Sequence, residues 1–186
     1  DLWKLDIKRN PNQVLDNLKQ FDDKWLQYNP RKDIPRWGLS VTNLDGVLGP
    51  GPDLDSLYEL KHGHNKSYNE NDFNVPTPVY DIVADYCDPF KEWLSRTHIL
   101  KLAAGGYFPD HIDNRGSAIE SFRLIVPLQV ANASEGGYFI FDNQIINWDY
   151  GNVYFVNTCK RHTAFNTNEE FDHMVLVMNI RLTWES

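Results

Sequence analysis

The sequence predicts an α+β domain made mainly of β-strands, with a double-stranded β-helix, or jelly roll, as its core and N-terminal helices packed behind it. Three observations lead to this prediction. Helical periodicity is confined to the first half, short apolar or alternating segments fill the second half, and 186 residues suit one domain of ordinary size. We therefore expect one unit in which residues 1–95 supply helices and a long loop and residues 96–186 supply the β-helix with the functional site.

The first helix is predicted to begin at Pro11, with Asn10 as its N-cap. Asn is a favoured capping residue, and Pro is tolerated in the first helical turn. Apolar residues recur at helical spacing as far as Trp25, so the helix should end before Asn29. The segment 36–44 has the composition of a strand.

Residues 45–78 are rich in Gly, Pro and Asn, which predicts a long irregular loop with one short helical turn near Leu54–Leu60. Loops of this length inside a compact domain are usually functional, so this one is a candidate rim or lid of the site. A second amphipathic helix is predicted over 78–94, with a kink at Pro89.

Beyond residue 96 the periodicity changes to that of strands. Asp142-Asn143 has the composition of a hairpin turn, and Gly151 precedes a further strand. The predicted strands cover 97–103, 121–130, 137–141, 144–148, 152–157, 162–166 and 173–183. Such a series of short strands is typical of a jelly roll.

Composition excludes several function classes. The net charge of −8 and the pI of about 5.1 argue against binding nucleic acid through a general basic surface. No apolar run is long enough to span a membrane, and no secretory leader pattern is present. With only two cysteines, Cys87 and Cys159, reduced thiols in the cytoplasm are expected.

The strongest functional signal is His111-Ile112-Asp113 followed by His162. Alternation along an extended segment places His111 and Asp113 on one face. The stretch up to His162 is long enough for several short antiparallel strands, and these would bring His162 to the same place. Two histidines and one carboxylate form the facial ligand set of non-haem Fe(II) oxygenases, whereas zinc more often recruits a further His or Cys.

Arg123 lies in an otherwise apolar strand, on the face shared by positions 121, 125 and 127. A charged side chain that faces the interior needs a partner, and a ligand carboxylate held by a bidentate guanidinium would provide one. The alternatives are that Arg123 faces solvent or pairs with Glu120 or Asp142. Lys101 could replace Arg123 as the inward cation.

Other residues have weaker signals. His62 and His64 lie in the long loop without further ligands nearby. Cys159 is more simply a small buried residue than a ligand. Lys160 and Arg161, beside His162, either attract an acidic substrate or are solvated.

Several motifs occur in a characteristic order: Leu102-Ala103-Ala104-Gly105-Gly106, Pro109-Asp110-His111-Ile112-Asp113, Arg123-Leu124 before Val126-Pro127-Leu128, and Gly151-Asn152-Val153-Tyr154-Phe155 before His162. Together they resemble the aspartyl/asparaginyl β-hydroxylase-like family of 2-oxoglutarate- and Fe(II)-dependent dioxygenases. The resemblance covers roughly residues 97–181. It implies Fe(II), 2-oxoglutarate as co-substrate, and dioxygen.

By this resemblance His111, Asp113 and His162 are the iron ligands and so the catalytic centre, and Arg123 contacts the acidic groups of the co-substrate. Many members carry an arginine about ten residues after the distal histidine, where it binds the far carboxylate of 2-oxoglutarate. Here His173 stands at that position.

The far carboxylate therefore has three candidate partners, which are Arg123, His173 and Arg181. Arg181 shares a face with His173 on the same predicted strand but lies far along it. Arg123 is the preferred candidate and His173 the second.

The resemblance implies hydroxylation of an amino-acid side chain, free or in a peptide or protein, with release of succinate and CO2. One alternative is a cupin-like module that binds a metal without oxygenase turnover, in which His173 reflects a lost co-substrate site. Another is a jelly roll that binds a carbohydrate or other ligand without metal.

Overall fold

The computed structural model describes residues 1–30, 33–113 and 121–183. Within these ranges the helices are α1 Pro11–Leu18, α2 Leu57–His62 and α3 Tyr80–Cys87. The first strands are β1 Leu2–Lys8, β2 Leu26–Gln27, β3 Arg36–Ser40, β4 Thr42–Asn43 and β5 Val75–Pro76. They are followed by β6 His98–Leu102, β7 Tyr107–His111, β8 Ser121–Gln129, β9 Gly137–Phe141, β10 Gln144–Ile145, β11 Asn152–Val156, β12 His162–Asn166 and β13 His173–Arg181.

Two antiparallel sheets form the body of the protein. The larger has the order β1-β11-β8-β13-β6-β3-β2, and the smaller has the order β10-β9-β12-β7. From β6 onward the chain passes back and forth between the two sheets. One of the two hydrophobic cores of the described residues lies between these sheets. This is the predicted jelly roll, so the mainly β fold class is confirmed.

The helices cover the outer face of the larger sheet. Val14 of α1 and Val83 of α3 pack in one hydrophobic core with Leu124 of β8 and Leu176 of β13. Because side chains alternate along a strand, the other residues of β8 and β13 point between the sheets. The predicted face of Arg123 is therefore correct, since Arg123 and Ile125 both line a cavity there.

The strand predictions hold with local differences. The segment 36–44 forms two strands, β3 and β4, that separate at Val41. The turn at Asp142-Asn143 is confirmed, since both residues have positive φ angles, 52° and 64°, as a two-residue hairpin turn requires. The segment 144–148 contains only the two-residue strand β10.

The helices are shorter than predicted. Helix α1 ends at Leu18, and the chain continues as a 3-10 turn over Lys19–Lys24. The second predicted helix corresponds to α3, which ends at Cys87 and is followed by a 3-10 turn at Pro89. Strand β1 was not predicted. It is an edge strand in which apolar and polar residues alternate from Trp3 to Lys8, with Leu5 and Ile7 packed against the core, so its strand periodicity is present in the sequence.

Among the described residues, no helix has both the length and the apolar character needed to cross a membrane. Cys87 is buried and Cys159 half-buried, and both are free thiols. Burial raises the pKa of the Cys87 thiol well above its ordinary value, so this residue stays neutral.

Candidate metal centre and adjoining cavities

The predicted ligands meet where β7 and β12 run side by side. His111 is the last residue of β7 and lies opposite His162, the first residue of β12. Asp113 follows two residues later, and its backbone N–H donates to the carbonyl of Thr158 at 2.9 Å. One ligand atom from each of the three residues lies within 4.8 Å of the others. The spacing of ligands in the sequence and the pairing of the strands thus bring the triad together.

Hydrogen bonds to backbone carbonyls fix the tautomer of both imidazoles. Nδ1 of His111 lies 2.7 Å from the carbonyl oxygen of Pro109, and Nδ1 of His162 lies 2.9 Å from that of Lys160. Because a carbonyl only accepts, each Nδ1 carries the proton and each Nε2 keeps its lone pair. Nε2 of His111 is buried, lies 3.2 Å from Oδ1 of Asp113 and has no hydrogen-bond partner among the described residues.

The charge state of the triad also suits a divalent metal. Burial, followed by the neighbouring His111, lowers the pKa of His162, so this imidazole is neutral near pH 7. Burial would raise the pKa of Asp113, but Arg123 and the two imidazoles outweigh it and hold the pKa well below its ordinary value. Two imidazoles that each direct Nδ1 at a backbone carbonyl, together with an ionised carboxylate, match the donor set of non-haem Fe(II).

Arg123 is the cation beside this carboxylate. Its Nε lies 3.0 Å from Oδ2 of Asp113, and its Nη2 donates to Oε1 of Glu70 at 3.4 Å. The alternative partner Glu120 lies outside the described residues, and Asp142 pairs with Lys160 instead. Arg123 therefore points inward, as predicted, and its carboxylate partners are Asp113 and Glu70. The predicted contact with a co-substrate stays a prediction.

Glu70 was not predicted as a functional residue. It lies in the long loop but is buried, and its carboxylate accepts hydrogen bonds from Arg96 and Arg123 as well as from Ser121 and Asn179. Burial would raise the pKa of Glu70, but the two guanidinium groups hold it below its ordinary value. The long loop over 45–78 is thereby connected to Asp113 of the triad through Glu70 and Arg123.

Two cavities adjoin the triad. The inner cavity, about 80 Å³, lies between the sheets, and the outer cavity, about 310 Å³, lies beside His111 and Asp113. Arg36, Leu100, Phe108 and Arg123 line both cavities. The remaining wall of the inner cavity is mainly apolar, with Leu102, Ile125, Phe139, Trp148, Val175 and Val177.

His173 lines the inner cavity but does not carry a positive charge there. It is buried, and burial lowers its pKa to about 4. Its Nδ1 donates to the carbonyl of Val130 at 2.8 Å, so the neutral ring offers the cavity only the Nε2 lone pair. In this state His173 cannot donate a hydrogen bond to a carboxylate.

The low pKa of His173 gives a stability prediction. The folded state keeps this imidazole neutral, whereas the unfolded chain protonates it below its ordinary pKa of 6.5. Stability is therefore expected to fall as the pH drops from 6.5 towards 4, with His173 contributing about 3 kcal/mol at the acid end. Urea unfolding across this range should show a shallower pH dependence in His173→Leu than in wild type. Equal slopes would contradict a buried neutral His173.

The structure does not bring Arg181 or Lys101 to the cavities. Arg181 is exposed and donates to the backbone carbonyl of Glu92 at 3.1 Å. Nζ of Lys101 lies 3.5 Å from Asp172 and 4.5 Å from the centre of the Trp25 ring.

The weaker candidates also lie apart from the triad. His64 pairs with Asp55 at 2.8 Å without joining a three-ligand group. Lys160 pairs with Asp142 and Arg161 with Asp110, so both of these cations face solvent with carboxylate partners.

Arg36 is a site residue that sequence reasoning missed. Arg36 is 3 % exposed, and its guanidinium Cζ lies 4.3 and 3.8 Å from the ring centres of Tyr28 and Phe108. Its Nε and Nη2 are buried without hydrogen-bond partners among the described residues. Burial lowers its pKa to about 10, which leaves it charged at neutral pH. The only signal in the sequence was its place at the start of a predicted strand, which does not say which way the side chain points.

Comparison with solved structures finds the same fold in three proteins. HygX from Streptomyces hygroscopicus, solved with nickel, 2-oxoglutarate and hygromycin B bound, has a TM-score of 0.59 at 10% identity, with 98% of this chain and 83% of that chain covered. A prolyl-4-hydroxylase from Pseudomonas putida has a TM-score of 0.55 at 10% identity, with 98% and 92% covered. The viral collagen prolyl hydroxylase of Paramecium bursaria Chlorella virus-1 has a TM-score of 0.52 at 12% identity, with 98% and 96% covered.

No protein-family model and no curated protein matches the chain. At identities of 10 to 12% the structural likeness establishes the fold alone, which this chain shares with HygX and the two prolyl hydroxylases. The narrower resemblance to the aspartyl/asparaginyl β-hydroxylase-like family stays a prediction.

Proposed function

We propose that residues 1–186 act as one 2-oxoglutarate- and Fe(II)-dependent dioxygenase that hydroxylates an amino-acid side chain and releases succinate and CO2. The observation that carries this proposal is the convergence of two Nε2 lone pairs and one ionised carboxylate within 4.8 Å, beside two cavities lined by cations. This donor set and the shared fold support the same chemistry.

In the proposed enzyme His111 and His162 hold the metal through Nε2 and Asp113 through a carboxylate oxygen. The metal and the co-substrate, when bound, supply the activation of dioxygen and the oxidising power. Arg123 keeps Asp113 ionised and oriented and presents positive charge to both cavities, which suits an acidic co-substrate. The carbonyls of Pro109 and Lys160 hold the imidazoles in the tautomer that can bind a metal.

The outer cavity is the proposed substrate site. Its volume of about 310 Å³ is at the lower end for small-molecule pockets and suits one amino-acid side chain. It is open to solvent beside the exposed Tyr58, so a side chain could enter while its backbone stays outside. The prolyl hydroxylases among the structural neighbours favour a residue within a peptide or protein, and a free amino acid remains the other form of this substrate class.

Anaerobic titration with Fe(II), with and without 2-oxoglutarate, tests the proposal. We expect a weak visible charge-transfer band only when both are present, and we expect His111→Ala to abolish it because one of three metal ligands is lost. His62→Ala is the matched control, since His62 is an exposed histidine of the long loop, and it should retain the band.

Two results would contradict the proposal. Tight iron binding without any effect of 2-oxoglutarate would favour the cupin-like metal-binding module, for which His173 at the usual arginine position is the supporting observation. Absence of iron binding by wild type would favour a jelly roll that binds another ligand without metal.

A further inference from the structure

Arg36 is a buried guanidinium without a counter-ion. The other two arginines at the cavities are neutralised, since Arg96 pairs with Glu70 and Arg123 with Glu70 and Asp113. Arg36 forms no ion pair with any described residue, and its Nε and Nη2 are unpartnered. An unpaired charge in a protein interior costs several kcal/mol, so the site lacks an anion that would complete it.

The donors of the guanidinium determine how such an anion could approach. The rings of Tyr28 and Phe108 contact the guanidinium but accept no conventional hydrogen bond from it, so its Nε and Nη2 keep their N–H groups unpartnered among the described residues. These donors lie in the guanidinium plane and match the two oxygens of a carboxylate. A carboxylate bound edge-on would therefore satisfy both the charge and the unpartnered donors.

Strand register relates Arg36 to the position where the family carries its arginine. In the larger sheet Arg36 of β3 lies opposite Leu102 of β6, and Leu102 lies opposite His173 of β13. Residues directly opposite one another in antiparallel strands point to the same face. Arg36 and His173 therefore belong to one row across the sheet and border the same inner cavity. The cation that is missing at His173 is present two strands away, in the N-terminal half of the chain.

Arg36 is also close to the metal ligands. Its Cζ lies 3.8 Å from the centre of the Phe108 ring, which in turn lies 4.0 Å from the centre of the His111 ring. One aromatic ring thus separates the guanidinium from a ligand of the metal. A five-carbon diacid that binds the metal at one end is long enough to cross this separation.

We propose that Arg36 binds the far carboxylate of the co-substrate, in place of an arginine at position 173. This inference rests on the proposed dioxygenase function, and it assigns the role to a residue of β3, in the N-terminal half of the chain. Arg36 borders the outer cavity as well, so a carboxylate on the substrate is the other possible source of the anion. The inner cavity favours the co-substrate because its remaining wall is mainly apolar and His173 offers no proton there.

The test compares two 2-oxo acids as ligands of the Fe(II)-loaded protein under anaerobic conditions. Both 2-oxoglutarate and pyruvate can chelate the metal, but only 2-oxoglutarate has a far carboxylate. We expect Arg36→Met to weaken 2-oxoglutarate binding, measured by the charge-transfer band, roughly 10- to 100-fold, as loss of charge-assisted hydrogen bonds predicts. Pyruvate binding should be unchanged. Arg181→Met tests the rival arginine and should leave both affinities unchanged.

A second readout separates ligand binding from a structural role. Because Arg36 is unpaired, the ligand-free Arg36→Met protein is expected to be at least as stable to urea as wild type. The stabilisation that wild type gains from 2-oxoglutarate should be lost in the variant.

The outcomes that overturn the inference are distinct. Unchanged 2-oxoglutarate affinity in Arg36→Met would assign the anion to the substrate or to no ligand. An equal loss of affinity for 2-oxoglutarate and pyruvate would mean that Arg36 affects the metal-chelating end of the 2-oxo acid and not its far carboxylate. A loss in Arg181→Met instead would identify Arg181 as the anchor. Failure of wild type to bind either acid would refute the dioxygenase function itself.

Discussion

Glu70→Ala is expected to lower the free energy of unfolding by about 3–5 kcal/mol, because it leaves two buried arginines without their shared carboxylate. Arg96 would lose its only ion pair among the described residues, and Arg123 would keep only Asp113. The hydrogen bonds from Ser121 and Asn179 would also be lost. Since these partners lie on separate segments, the loop that contains Glu70 should detach from the sheet in the variant.

Urea unfolding of Glu70→Ala and of Glu169→Ala measures this effect. Glu169 is an exposed carboxylate, so its removal should change stability by less than about 0.5 kcal/mol. The loss of stability in Glu70→Gln, which keeps the shape of the side chain and removes its charge, should lie between the losses in these two variants.

The stabilisation by Glu70 should also depend on pH. The pKa of Glu70 is lowered in the folded state, so the contribution of Glu70 to stability should be present near pH 7 and be lost as the pH falls below the ordinary pKa of a glutamate. A loss of less than about 1 kcal/mol in Glu70→Ala would contradict the role of Glu70 as the shared partner of the two buried arginines.

Asp113→Asn is expected to weaken Fe(II) binding roughly a hundredfold or more. Substitution of a residue that only hydrogen-bonds to a metal ligand typically weakens metal binding about 10- to 100-fold, and loss of a ligand should cost more. The substitution removes the only negative charge of the donor set. It also leaves Nε of Arg123 beside a neutral amide, so Arg123 would keep only Glu70 as a carboxylate partner and would repel the metal more strongly. Activity should be lost with the metal.

Asp110→Asn is the matched control for this prediction. Asp110 lies in β7, three residues before Asp113, and pairs at the surface with Arg161. Anaerobic calorimetric titration with Fe(II) should show wild-type affinity in Asp110→Asn and greatly reduced affinity in Asp113→Asn, with similar circular dichroism spectra. Equal affinities in the two variants would exclude Asp113 as a ligand.

The triad and Arg123 were predictable because each depends on local rules. Two ligands at positions i and i+2 share a face of any extended segment, and Arg123 alternates with apolar residues that must be buried. The hairpin at Asp142-Asn143 follows from the tolerance of these residues for positive φ angles. These signals need no knowledge of the neighbouring strands.

Arg36 and Glu70 were not predictable in the same way. Glu70 is buried because Arg96 and Arg123, which lie 26 and 53 residues away, meet it in the folded chain. Arg36 points into the cavity because β3 pairs with β6 in one register, and a shift of one residue would turn its side chain to the other face. Edge strand β1 differs from these two residues, because the alternation of Trp3, Leu5 and Ile7 with polar residues is visible in the sequence, and only its pairing with β11 required the structure.

The amino-acid sequence by itself determined that this chain forms a jelly roll and that His111 and Asp113 lie close together, since strand periodicity and residue spacing are properties of neighbouring residues. Only the tertiary structure decided which of the described cations have carboxylate partners. The pairing of a buried arginine depends on the carboxylates that distant segments bring within a few ångströms. Arg123 therefore contacts Asp113 of the triad, His173 is a neutral part of the cavity wall, and Arg36 keeps donors without a partner among the described residues.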